Sequence, residues 1–124
     1  MDRQQARRAA LEAVDRLINR GGDADDVLRG VVHALHSRVG YDFVEIAFVE
    51  GDTLEPGPAA GSSAGGEAYS VAIVFEGRVV GELQVEPAPA DPEERAFLER
   101  VATLVSPYCL VGWDTGGVPW PDLS

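Results

Sequence analysis

The sequence has no lysine, a single cysteine and no long apolar segment. One cysteine, Cys109, excludes an intrachain disulfide. A helix that spans a bilayer needs about 20 consecutive apolar residues, and no segment approaches that length. The N-terminus begins Met1-Asp2-Arg3 and lacks the apolar centre of a signal peptide. These absences predict a cytoplasmic protein with no membrane partner.

The missing lysines leave arginine to supply all 10 basic residues, against 21 acidic ones, and the net charge is −11. Nucleic-acid binding depends on neutralising phosphates, so this charge argues against a nucleic-acid partner. The charge is uneven: arginines outnumber acids in the first 20 residues, whereas acids dominate residues 45–95. We interpret the acidity as a contribution to solubility, with an acidic surface that selects a basic partner as the alternative.

Residues 69–109 carry the clearest structural pattern. From residue 79 to residue 86, Val79, Gly81, Leu83 and Val85 alternate with mostly polar residues, which predicts a strand with one buried face. Glu76-Gly77 separates this strand from the apolar run 69–75 and predicts a tight hairpin turn. Asp91-Pro92 then has the form of an N-cap followed by proline at the first helical position. This predicted helix should bend or restart at Ser106-Pro107.

The N-terminal half predicts two helices and a hairpin. Helical spacing of apolar residues continues to Arg20, where Gly21-Gly22 ends the first helix, and resumes after an N-cap at Asp23. Gly40 ends the second helix. Residues 42–49 read as a central strand with a short partner at residues 53–55, and residues 57–67 read as a flexible loop.

This order of elements, together with the sequence runs in them, resembles the GAF domain family over roughly residues 6–112. The most similar runs are 41–52 (YDFVEIAFVEGD), 78–83 (RVVGEL) and 97–102 (FLERVA). The resemblance implies an α+β fold with a central antiparallel sheet and with the N- and C-terminal helices packed on one face. We therefore predict one GAF-like domain, residues 1–112, followed by a tail rich in Trp, Pro and Gly, residues 113–124.

GAF domains typically act as small-molecule sensors, with a pocket under a lid on the sheet face away from the terminal helices. In ligand-binding members of the family a long segment with extra helices builds that lid, whereas here the segment is the short loop around residues 58–68. Ligand pockets usually enclose most of a small ligand, so we expect a shallow site. The candidate ligand-binding residues are Glu45, Ala47, Tyr69, Glu82 and Gln84. A solvated sheet face without a ligand is the alternative.

The resemblance also implies dimerisation through the terminal helices. The candidate interface residues are Ala10, Leu11, Val14, Leu17 and Val105. We predict a dimeric, non-catalytic regulatory module with no cofactor, whose output passes through a separate protein. A ligand-free dimerisation scaffold is one alternative. We further expect Trp113 or Trp120 in the tail to cover surface that a lid would have covered.

An enzymatic alternative comes from one group of proteins with the GAF fold, which reduces free methionine sulfoxide with several cysteines. Only Cys109 is present here, and a redox cycle needs a resolving thiol near the nucleophile. We therefore expect Cys109 to be a small buried side chain. His33 and His36 lie three residues apart without an obvious third ligand, so we predict a solvated helix face rather than a metal site.

Overall fold

The computed structural model describes residues 3–20, 23–63, 68–89 and 91–109. The helices are α1 (Arg3–Arg20), α2 (Ala24–Ala34), which continues into a π-helical turn (Leu35–Val39), and α3 (Pro92–Val105), which continues into a 3-10 turn (Ser106–Cys109). The strands are β1 (Phe43–Glu50), β2 (Thr53–Glu55), β3 (Ala59–Gly61), β4 (Tyr69–Phe75) and β5 (Arg78–Glu86). The predicted domain boundary at residue 112 and the tail 113–124 lie outside the described residues.

Both predicted helix caps are present. The Asp23 carboxylate accepts a hydrogen bond from the Asp26 amide at 2.9 Å, and the Asp91 carboxylate accepts one from the Glu94 amide at 2.8 Å. Each bond satisfies an amide that the helix itself leaves without a partner, and such a cap contributes about 1 kcal/mol. The restart at Ser106 is also confirmed, since α3 ends at Val105 and a 3-10 turn follows.

The hairpin between β4 and β5 has the predicted turn. Glu76 and Gly77 both have positive φ, at 52° and 82°. Two consecutive left-handed residues match the right-handed twist of the strands, which is why this type of turn joins hairpins. The turn sets the pairing of Phe75 with Arg78 and of Val74 with Val79, and a β-bulge at Val80 then shifts the register. Val79, predicted on the buried face, is therefore exposed, and Val80 is buried in its place.

The sheet is antiparallel, in the order β2-β1-β5-β4. Strand β3 was not predicted; it pairs with residues 43–45 of β1, while β2 pairs with residues 48–50. The two short strands thus share one edge of β1, and the prolines at positions 56 and 58 separate them because proline cannot donate to the ladder. Part of the predicted loop 57–67 is therefore an edge strand.

One face of the sheet holds the hydrophobic core. Helix α2 packs on β1 and β3, and α3 packs on β4 and β5, with α1 packed on both helices. Val44, Ile46 and Leu83 are fully buried beneath them. The predicted α+β architecture with terminal helices on one face is confirmed. Among the described helices, none is both long enough and apolar enough to cross a membrane.

A buried polar cluster joins α1, α3 and the segment before β1. The Tyr41 hydroxyl donates to the Glu94 carboxylate at 2.6 Å, and both residues are buried. Arg7 is also buried, at 9% exposure, and lines the same cavity of about 80 Å³. Its guanidinium lies 4.0 Å from the Glu93 carboxylate. Sequence reasoning missed this cluster because the three residues are distant along the chain.

Candidate functional site

The sheet face turned away from the three helices brings four of the predicted ligand-binding residues together. We call it the outer face. Glu45 pairs with Gln84, and Ala47 pairs with Glu82, in the β1–β5 register. Directly paired residues share a face, and so do residues two apart on a strand. Because Val44 and Ile46 point into the core, these four residues lie on the opposite side.

The polar groups on the outer face form a compact cluster. The Gln84 side-chain amide donates to the Glu82 carboxylate at 3.1 Å, and Glu45 lies beside Gln84 on the next strand. All three side chains are partly buried, while Ser70 and Ala72 of β4 extend the same face and are exposed. Carboxylate oxygens accept strong hydrogen bonds from cationic donors. The chemistry of the cluster therefore suits a cation or a hydroxylated molecule.

Tyr69 is separated from the other four candidates. It pairs with Val85, which is buried and also pairs with Val44 on the core face. The Tyr69 ring is partly buried against the core rather than placed on the outer face. The sequence contained this signal, because Tyr69 has the same strand parity as the buried Val71 and Ile73.

An aliphatic row borders the polar cluster at the end where the two hairpin turns lie. Leu54 pairs with Val49, and Val74 pairs with Val79, all on the outer face. Leu54, Val74 and Val79 are the large hydrophobic residues that are exposed among those described, at 42%, 46% and 48%. Sequence reasoning missed this row. Val74 follows the buried Ile73 on β4, and side chains alternate between the two faces of a strand. This alternation was the signal in the sequence that places Val74 on the outer face.

The candidate interface residues fall into two groups. Ala10, Val14 and Val105 are buried in the core of this chain, so the single chain already covers them. Leu11 is partly buried and lines a groove of about 340 Å³ between α1 and α3. Leu17 is also partly buried but lies in a different groove, between α1 and α2.

Cys109 lies in the core at the end of the 3-10 turn. Its side chain has no exposed surface, and its thiol donates to the Val105 carbonyl over 3.6 Å. Burial disfavours the thiolate and raises the pKa of Cys109 from 9.0 to about 12. Since the thiolate is the nucleophile, this thiol is poorly suited to redox or nucleophilic chemistry at neutral pH.

We expect Cys109 to react with a thiol-labelling disulfide at least about a thousandfold more slowly in the native protein than in unfolded protein at pH 8. A pKa of about 12 in place of 9.0 lowers the thiolate fraction at pH 8 by that factor. Absorbance of the released thiolate, followed with and without guanidinium, measures both rates. Native labelling at the unfolded rate would contradict the burial of Cys109.

The same shift has a consequence for stability. The pKa of Cys109 is higher in the folded protein than in the unfolded chain. The contribution of the buried, protonated thiol to the free energy of unfolding is therefore complete below pH 9 and is lost as the pH rises towards 12. The loss should be about 1.4 kcal/mol per pH unit within that window. Cys109→Ala removes this dependence and is the matched control in urea unfolding at each pH.

The two histidines have different surroundings. His33 is exposed on α2, whereas His36 is partly buried and its Nδ1 lies 2.7 Å from the Tyr41 carbonyl oxygen. The solvated face expected for both thus fits only His33. Across the part of the chain that the structure describes, no three His, Cys, Asp or Glu side chains are grouped so as to hold a metal ion.

Comparison with solved structures finds close matches in fold at low sequence identity. The GAF domain of Aquifex aeolicus nlh2 superposes with a TM-score of 0.74 at 12% identity, over 86% of this chain and 97% of that domain. Free methionine-R-sulfoxide reductase from Neisseria meningitidis, in complex with its substrate, superposes with a TM-score of 0.74 at 16% identity. The match covers 88% of this chain and 91% of the reductase chain. The GAF domain of a Coxiella burnetii phosphoenolpyruvate-protein phosphotransferase superposes with a TM-score of 0.71 at 13% identity, over 86% of this chain and 94% of that domain.

No protein-family model matches the sequence, and no curated protein matches it. The neighbours in structure include both GAF domains and reductases, so the likeness concerns the fold and leaves the activity open. The chain therefore has the GAF-like fold that its sequence predicted.

Proposed function

We propose that this protein is a non-catalytic regulatory module that binds a small cationic or hydroxylated molecule on its outer face. The observation that carries the proposal is the cluster of Glu45, Glu82 and Gln84 on a sheet face that the described helices leave uncovered. Two carboxylates beside one amide offer several acceptors within the reach of one small ligand. The ligand would replace the water that solvates these carboxylates.

The surroundings of the cluster narrow the ligand class further. The aliphatic row of Leu54, Val74 and Val79 lies at one end of the same face and is exposed. A molecule that carries a cationic or hydroxyl head and a short apolar portion would contact both regions. Burial of the apolar portion stabilises binding by about 25 cal/mol per Å², which favours an alkylammonium over a bare inorganic cation.

The environment of the cysteine supports a non-catalytic role. The chain has one cysteine, and it is buried with its pKa raised to about 12. Reduction of a sulfoxide by thiols needs a reactive thiolate and a second thiol that resolves the intermediate. A neighbour in structure is a free methionine-R-sulfoxide reductase, and the buried thiol of Cys109 argues against the same activity in this chain.

A dimer through the terminal helices is the second part of the proposal. The groove between α1 and α3 has Leu11 and Phe97 at its base and is lined by Arg8, Arg100 and Glu93. Both signs of charge are present, so two copies related by a twofold axis can place arginine opposite glutamate. Among the five predicted interface residues, Leu11 is the one that lines this groove.

Native mass spectrometry of gently purified protein tests both parts together. We expect a dimer, and we expect added mass from a retained small molecule or from hexylamine supplied as a probe. Glu45→Gln combined with Glu82→Gln keeps the shape of the face and removes its charge, so it should lose the added mass. A bound probe at 100 times its Kd should stabilise the parent protein by about 2.7 kcal/mol.

The matched control is Glu12→Gln combined with Glu99→Gln, which removes the same charge from exposed positions on α1 and α3. Equal binding by both double variants would contradict the outer-face site. A dimer without any adduct, and without stabilisation by the probe, would favour the ligand-free scaffold. Reduction of free methionine sulfoxide by the parent protein, and its loss in Cys109→Ser, would overturn the non-catalytic assignment.

A further inference from the structure

A broad groove lies between α1 and α2, on the helical side of the molecule. The groove is open to solvent and has a volume of about 820 Å³. Ala13 and Leu17 of α1, with Gly30 and Ala34 of α2, form its floor. Gly30 lets the helices approach closely, since a Cβ there would lie 2.8 Å from a Leu17 methyl carbon. The floor is therefore apolar, and three of its four side chains are small or absent.

The rim of this groove is cationic. Arg16 and Arg20 lie one turn apart on α1, and His33 and Arg38 line the opposite side. No acidic residue is among the described residues that line the groove. The three guanidinium groups make no hydrogen bond or ion pair with other described residues, unlike Arg7 and Arg29. In a chain of net charge −11, this is a local reversal of sign.

We infer that this basic groove binds an acidic amphipathic helix of a partner protein. Such a helix would lay its apolar stripe on the floor and its carboxylates against the arginines, as in other helix-in-groove complexes. The groove extends along residues 13–20 of α1, which is about 10 Å at 1.5 Å per residue. That length corresponds to two turns of a bound helix, enough for apolar anchors at positions i, i+4 and i+7.

Two features favour a partner helix over a second copy of this chain and over a small anion as the occupant of the groove. A second copy bound through the same groove would place Arg16, Arg20 and Arg38 against their own equivalents, and like charges in contact weaken association. A small anion would be poorly enclosed, because the groove is open and its cations are spread along the helices. The inference does not depend on the proposed ligand, since the outer face lies on the other side of the sheet.

Fluorescence anisotropy with a synthetic helical peptide tests the inference. The peptide carries leucine at positions i, i+4 and i+7 and glutamate on both flanks, and a second peptide carries glutamine in place of every glutamate. We expect the acidic peptide to bind the parent protein, and the glutamine peptide to bind at least about tenfold more weakly. Binding of the acidic peptide should also weaken as salt is raised from 50 to 300 mM.

The groove variant is Arg16→Gln, Arg20→Gln and Arg38→Gln together. All three side chains are exposed, so the fold should be retained. Loss of three exposed ion pairs should raise the Kd of the acidic peptide by about tenfold. The control changes Arg29, Arg78 and Arg95 to glutamine, which alters the net charge equally at exposed positions outside the groove, and should leave Kd within twofold.

Several outcomes would overturn the inference. They are equal weakening in both triple variants, binding of the glutamine peptide as tight as the acidic one, and no binding below 1 mM. Sedimentation of the parent, but not the groove variant, with phosphatidylserine vesicles while the peptide fails to bind would assign the groove to a membrane surface instead. A change in oligomeric state confined to the groove variant would assign it to a second copy.

Discussion

Replacing Gly81 by alanine should lower the free energy of unfolding by about 3 kcal/mol. A Cβ at this position would lie 2.4 Å from the backbone oxygen of Ala47, on the neighbouring central strand. Gly81 pairs with Phe48 on one side and Ile73 on the other, so neither β1 nor β4 can move away without breaking its own ladder. Urea unfolding followed by circular dichroism measures the change.

Gly30→Ala is the matched control for this prediction. The added Cβ would lie 2.8 and 2.9 Å from the two methyl carbons of Leu17, which end a flexible side chain. Alanine also has a helix propensity about 1 kcal/mol more favourable than glycine, which offsets part of the crowding. Stability should therefore stay within about 1 kcal/mol of the parent. Equal losses in the two variants would contradict the distinction between backbone and side-chain contacts.

Replacing Glu94 by alanine should cost about 3 kcal/mol, although the residue lies on a helix rich in surface charge. Its carboxylate accepts from the Tyr41 hydroxyl at 2.6 Å, and it shares a small cavity with the buried guanidinium of Arg7. Removing the carboxylate takes one acceptor away from the buried Tyr41 hydroxyl and a nearby negative charge away from the buried Arg7 guanidinium. A buried polar group that loses its partner is costly, because water cannot replace that partner.

A double-mutant cycle isolates the hydrogen bond between Tyr41 and Glu94. Tyr41→Phe alone should cost about 1–2 kcal/mol, and combination with Glu94→Ala should cost less than the sum of the single changes. Glu94→Gln, which keeps an acceptor oxygen, should recover part of the loss. Strict additivity of the two single changes would contradict direct coupling of these side chains. Thermal unfolding at several pH values provides an independent measure of the same ranking.

The proposed ligand surface and the basic groove lie on opposite sides of the sheet and have opposite charge. Glu45 and Glu82 lie on the outer face, whereas Arg16 and Arg20 lie on the helical side. A cationic ligand and an acidic partner would therefore not compete for the same surface. This arrangement suits a regulatory module, in which a small molecule is bound at one place and a partner protein at another.

Local signals in the sequence predicted most of the elements. Asp23 and Asp91 marked helix starts because a short acidic side chain can bond the amides of the first turn. Glu76-Gly77 marked the hairpin because it tolerates positive φ. Alternation along β5 placed Leu83 and Val85 on the core face, but it was wrong for Val79, because a β-bulge turns Val80 to the core instead. These signals are local, so a single sequence contains them in full.

Strand β3 shows where local reasoning stops. Ala59–Gly61 has no apolar periodicity, and it is a strand only because β1 offers it an unpaired edge. Contacts made across the sheet decide this strand, and those contacts join residues distant along the chain. Tyr69 is the opposite case, because its strand parity with Val71 and Ile73 already indicated the core face that its pairing with Val85 gives it.

The sequence by itself determined the fold class, the helix caps, the hairpin turn and the local alternation that places Glu82 and Gln84 opposite Leu83. Only the tertiary structure decided that Glu45 lies beside Gln84, that Tyr41 meets Glu94, and that arginines from two helices line one groove. The physical reason is the range of the interactions. Caps and turns satisfy backbone groups within a few residues, whereas sites are assembled by register and helix packing.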